Sequence, residues 1–108
     1  MDVHDLLMRV PGAVKPHALE GLRVTVQYDI ERPLFHRVEG GQVTATEGRS
    51  ESADVTISAP DALLLDLYEG RGNPVMAFMT GKLRVRGDVS IARRLIAAVD
   101  RERLTQSS

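Results

Sequence analysis

The chain has 108 residues, 43% of them hydrophobic and 27% charged, and its 14 Lys and Arg against 15 Asp and Glu give a formal net charge of −1. That length makes one domain, able to bury roughly 65% of the surface its unfolded chain exposes, and the mixed signs exclude the basic stripe of a dedicated nucleic-acid binder. There is no cysteine, which excludes disulfides, thiol nucleophiles and thiolate metal sites.

Residues 2–9 are predicted to form a short helix with Val3, Leu6 and Leu7 on one side, stopped by Pro11-Gly12. Lys15-Pro16 to Gly21 reads as a connector. From Leu22 the period becomes two: Leu22, Val24, Val26, Tyr28 and Ile30 alternate with Arg23, Thr25, Gln27 and Asp29, the pattern of a strand with one face covered and one wet. Glu31-Arg32-Pro33 turns the chain into a second strand, Leu34 to Glu39, where Phe35 and Val38 fall on opposite faces and leave the buried side undecided. Gly40-Gly41 fits a two-residue hairpin turn, in which both positions need positive φ. It leads to a third strand from Gln42 to Thr46. Glu47 to Ala53 is a polar loop, and Asp54 to Ser58 a fourth strand with Val55 and Ile57 inward.

The period then turns helical. Ser58-Ala59-Pro60-Asp61 resembles a helix start, with Ser58 as the capping hydroxyl; Leu63, Leu64, Leu67 and Tyr68 share a face, and Gly70 marks the stop. The stretch from Gly70 to Asp88 is the most distinctive in the chain. A turn around Gly72 and Asn73-Pro74 opens into the soft apolar run Val75 to Met79, Gly81 closes it, and Leu83-Arg84-Val85-Arg86 alternates as a fifth strand. Asp88 caps a final helix whose apolar stripe is Ile91, Ala92, Leu95, Ile96 and Val99, with Arg101 and Arg103 near its end suiting the helix dipole. The chain thus divides into an N-terminal helix and connector (1–21), a four-strand meander (22–58), and helices, fifth strand and C-terminal helix (59–104). An α+β fold follows, a largely antiparallel sheet with helices on its apolar face.

These residues resemble the sterol carrier protein 2 (SCP2) family. The likeness is carried by Asp54-Val55-Thr56-Ile57, by Asp61 with Leu63-Leu64-Leu67, and by Gly70, Asn73-Pro74, Ala77-Phe78, Gly81-Lys82-Leu83, Val85, Gly87-Asp88 and Leu95, over about residues 20–100. The resemblance implies a five-stranded, mostly antiparallel sheet with helices on one side enclosing an apolar tunnel. It also implies non-enzymatic binding or transfer of a lipid: a fatty acid, fatty acyl-CoA, sterol or isoprenoid. Many relatives have a long amphipathic helix before the first strand. Here that region is short and broken by Pro11 and Pro16, so one wall is either reduced or completed by a second subunit.

Against that background Met76, Phe78 and Met79 are the sharpest lipid-binding candidates, because unbranched thioethers repack around variable ligands; simple core filling is the competing role. Leu63, Leu64 and Leu67, and Ile91, Leu95 and Val99, divide between core and tunnel wall, while Val24, Val26 and Tyr28 are expected to form the floor. The Tyr28 hydroxyl needs a partner if buried, more readily a structural hydrogen bond or the strand rim than a ligand headgroup. Arg84, Arg86, Arg93 and Arg94 read as a solvated face, with an anionic headgroup or phosphate as the alternative.

His4, His17 and His36 share no ligand spacing, Asp61 and Asp66 lie on different helix faces, and no nucleophile elbow or phosphate loop accompanies the serines. No catalytic residue, metal or cofactor is expected. The alternative to lipid carriage is an interaction, dimerisation or scaffold module assisting a lipid- or quinone-related enzyme. The N-terminus lacks the basic region of a signal peptide, no apolar run approaches the ~20 residues that cross a bilayer, and the C-terminus carries no peroxisomal signal, so a cytoplasmic protein is expected.

Overall fold

The computed structural model describes residues 2–106. Helix α1 (Val3–Arg9) starts at Asp2, whose carboxylate accepts from the Asp5 amide at 2.9 Å, and runs into a 3₁₀ turn over Val10–Ala13 that contains Pro11. Val3, Leu6, Leu7, Val10 and Ala13 are buried, so this short segment contributes to the core despite its proline.

Five strands follow the expected succession: β1 (Val24–Asp29), β2 (Leu34–Glu39), β3 (Gln42–Glu47), β4 (Val55–Ser58) and β5 (Arg84–Arg86), in spatial order β3-β2-β1-β4-β5. The β2–β3 turn is Gly40-Gly41, with φ of 61° and 79°. Three of the four pairings are antiparallel, but β4 does not extend the meander. It lies parallel to β1, with Val26 opposite Val55 and Tyr28 opposite Ile57. A parallel neighbour requires a crossover, and here the 48–54 segment serves. It is fixed to β1 by Gln27, whose Nε2 donates to the carbonyls of Leu34 (3.0 Å) and Gly48 (3.2 Å) while its Oε1 accepts from the Ser50 amide (2.8 Å). The Asp54 carboxylate then accepts from the Thr25 amide at 2.8 Å. Thr25 and Gln27 are consequently buried, and the expected wet face of β1 is covered.

The other face carries the helices. Leu34, His36 and Val38 point inward from β2, settling the side that Phe35 and Val38 left open. His36 occupies a core position; its Nε2 donates to the Leu7 carbonyl at 2.8 Å and its ring meets Tyr28 edge-on at 4.8 Å.

Helix α2 (Asp61–Tyr68) begins after Pro60 without any side-chain cap. Ser58 is therefore not the cap: it is still in the sheet, paired with Arg84 and Asp29. Helix α3 spans Pro74–Met79 and α4 Val89–Ala98. The last helix is also shorter than its stripe suggests. Val99 turns extended (ψ 127°) and bridges Val14, with the Lys15 amide donating to Ala98 at 2.8 Å and the Asp100 amide to Ala13 at 2.6 Å. Asp100 then caps a separate helix, α5 (Arg101–Gln106), through the amides of Glu102 and Arg103. Among the described residues no helix is long and apolar enough to cross a membrane.

Candidate functional site

The centre of the layer between sheet and helices is filled with side chains. Tyr28 of β1 and Tyr68 of α2 are fully buried and hydrogen-bonded to each other, and burial pushes both phenols above their ordinary range, so both are neutral. Leu64, Leu67, Leu95 and Val99 are buried core, as are Val24 and Val26 in the sheet; Leu63 and Ile91 are half-buried against it. The implied tunnel is not among the features the structure shows.

An apolar opening lies instead at the β5 end of the sheet, a cleft of about 200 Å³ between α3 and α4. Its α4 wall is Val89, Ala92, Arg93 and Ile96, spaced i, i+3, i+4 and i+7 so that one face of the helix supplies them all. Pro74, Val75 and Phe78 form the α3 wall, and Leu83 and Val85 the floor. Ala92 faces the space with only a methyl group, which is one reason a hollow remains. A shallower groove of about 440 Å³ continues from it along α4, sharing Pro74, Val75, Arg93 and Ile96 and adding Ser90, Arg94, Ala97 and Arg101. A hollow of about 270 Å³ elsewhere is lined by Arg23, Thr25, Arg37, Glu39 and Asp54 with Val24 and Val38, and its four charged side chains make it a poor match for an apolar guest.

Local sequence sets both walls. Asn73 caps α3, its side-chain carbonyl accepting from the Val75 and Met76 amides at 3.0 and 3.2 Å, and Pro74 occupies the first helical position, where no amide is needed. At the other end the Thr80 hydroxyl donates to the Met76 carbonyl at 3.0 Å. Asp88 caps α4 by accepting from the Ser90 amide and hydroxyl, at 2.9 and 2.6 Å, and those bonds lower its pKa. Arg94 ties α4 to the N-terminal connector through the carbonyls of Ala18 and Glu20.

Only Ala77 of α3 is buried. Val75 is 45% exposed, Phe78 41%, Met76 58% and Met79 75%. Of the expected lipid-binding residues, then, Phe78 lines the cleft while Met76 and Met79 lie on the exposed part of α3 beside it. The cleft also uses Val75, Val89 and Ile96. Their signal was in the sequence as spacing: Val75 is three before Phe78, and Val89 and Ile96 flank Ala92 by three and four. Among the described residues no group of His, Asp or Glu could hold a metal ion.

A family model described as the SCP-2 sterol transfer family matches residues 3–100. Sterol carrier protein 2 of Bos taurus is 36% identical over 58 residues, which is 54% of this chain and 11% of that protein; the chain spans 11% of the length of the curated relatives it matches. Among solved structures, the stereoselective inverting sec-alkylsulfatase Pisa1 from Pseudomonas sp. superposes with a TM-score of 0.77 at 17% identity, over 84% of this chain and 15% of that one. Palmitated SCP2L2 from Aedes aegypti gives 0.68 at 23% identity, over 90% and 93%. At these identities the structural likeness is one of fold.

Proposed function

The chain belongs to the SCP-2 sterol transfer family, and from that membership, which implies lipid binding or transfer, we propose that it binds a lipid with one long acyl chain in the cleft between α3 and α4. The observation that carries this reading is the apolar lining: eight of the nine residues around the cleft are uncharged and apolar, and Val75 and Phe78 are left partly open to solvent at its wall. Removing such surface from water is favourable in proportion to its area. At about 0.8 kcal/mol per buried methylene, ten methylenes supply roughly 8 kcal/mol before ordering costs, enough for useful binding without an ion pair. That a solved SCP2L2 of the same fold is described as palmitated supports an acyl chain as the guest. Phe78, Val75 and Ile96 are the residues assigned to contact it. Deeper candidates such as Leu64, Leu67 and Leu95 take part only if the cleft opens inward.

Titration with a fluorescent long-chain fatty acid tests the reading. Saturable binding is expected, weakened about tenfold or more by Phe78→Asp or Ile96→Glu, with circular dichroism showing that each variant stays folded. Absence of saturable binding by the wild-type chain would overturn it, as would equal affinity of folded variants. The competing role, a scaffold assisting an enzyme, is favoured by the small share of its relatives that the domain occupies; a pure scaffold takes up no lipid, so the same titration separates the two.

A further inference from the structure

Helix α3 leaves uncovered apolar surface that the cleft does not use. Met76 and Met79 are exposed, line no part of the cleft, and sit on a six-residue helix anchored to the core by Ala77 alone. The longer stretch that contains them is basic. Between Gly70 and Ala98 there are six Lys and Arg and one Asp, a formal +5 in a chain whose net charge is −1, so the acids are concentrated elsewhere. Two of these cations are already committed: Arg71 to Asp66 and Glu69, and Arg94 to backbone carbonyls. Lys82, three residues beyond Met79, and Arg93, across the cleft from Phe78, are exposed and in no ion pair among the described residues.

The chemistry of this surface selects among possible occupants. The exposed side chains of α3 are two methionines, a valine and a phenylalanine; none offers a hydrogen bond, and the helix ends are satisfied internally by Asn73 and Thr80. A specific protein interface surrounds its apolar centre with directional polar contacts. A bilayer asks for less: apolar side chains that enter the acyl boundary and cations at the depth of the headgroups. We propose that α3 docks on an anionic lipid surface, Met76 and Met79 entering the acyl region while Lys82 and Arg93 meet headgroup phosphates. In that pose Val75 and Phe78, and with them the cleft, face the membrane. Met76, Met79 and Lys82 lie outside the cleft lining, which the docking surface meets at Arg93, so the docking stands whether or not the cleft holds a lipid.

Co-sedimentation with vesicles tests it. The wild-type chain is expected to bind phosphatidylcholine–phosphatidylserine vesicles, to bind phosphatidylcholine alone far more weakly, and to be released by salt. The double variant Met76→Glu/Met79→Glu should lose about tenfold or more in vesicle partition, and Lys82→Glu about fivefold. Both should keep wild-type circular dichroism and bind fatty acid in vesicle-free solution as the wild type does. Two results would overturn the proposal: wild-type chain left in the supernatant with both vesicle types, or unchanged partition of the double variant. A dimer in solution that the double variant dissociates would likewise overturn it, giving the face to a second copy.

Discussion

Gly87 shows how one residue without a side chain holds two parts of the fold together. It has φ of 96°, where L residues are strained, and a Cβ placed there would run into the Asp54 backbone carbonyl. That carbonyl ends the crossover that delivers β4 to β1, so neither partner can retreat. Gly87→Ala should lower stability by about 2–4 kcal/mol in urea unfolding. Gly40→Ala, at φ of 61° with open space around it, should cost only about 1–2 kcal/mol. The turn glycines and the Asp88 cap were legible in the sequence because their cause is local. The buried partners were not. Tyr28 was known to need a hydrogen bond, but nothing at residue 28 names residue 68 as its source. His36 hid the inward face of β2 because an imidazole in a core position breaks the apolar alternation.

The elements were legible wherever one face sees one environment for several turns or pleats, as β4, with Val55 and Ile57 inward, and the stripe of α4 do. They were not where a long-range contact overrides the period. Gln27 has the polarity of a solvent-facing residue, yet it is buried because it holds the crossover; strand order in space leaves no trace in the periodicity. The final stripe ran on to Val99, but backbone bonds between Ala13–Lys15 and Ala98–Asp100 end α4 there. Helix α3 is too short to show a period, and its start is fixed by Asn73 rather than by patterning. Asn73→Ala frees two amides and should cost about 1 kcal/mol in urea unfolding, whereas Asn73→Asp, which retains the acceptor, should cost much less. Because α3 is one wall of the cleft, the Ala variant should also bind fatty acid more weakly than its stability loss alone explains.

For the molecule as a whole, two buried histidines couple stability to pH in opposite directions. Burial pulls the pKa of His36 from its ordinary 6.5 down to about 4, only partly offset by the bond to Leu7. Below about pH 6.5 the unfolded chain takes up a proton that the folded chain refuses, so stability falls between pH 6.5 and 4 and then levels off, a total of about 3 kcal/mol from this group. His4 acts the other way. Its bonds to the Arg32 carbonyl and the Glu47 carboxylate, at 2.8 and 2.9 Å, raise its pKa, the first more than the second; its contribution is full below 6.5 and fades as pH rises through the raised value. Urea unfolding from pH 7 to 4 should show wild type losing about 3 kcal/mol relative to His36→Leu. Much of the candidate site was legible at this scale only as a region. The Gly70–Asp88 stretch stood out, but whether Phe78 or Met79 faces the hollow depends on how α3 leans on α4, which no local pattern records. That lean has an upstream cause. Oily contacts have no preferred azimuth and would let α2 roll or slide over the strands, whereas two phenols that must hydrogen-bond to each other far from water tolerate few orientations. A single polar tie thus gives α2 an angular index, and the turn that hands the chain from α2 to α3 inherits it.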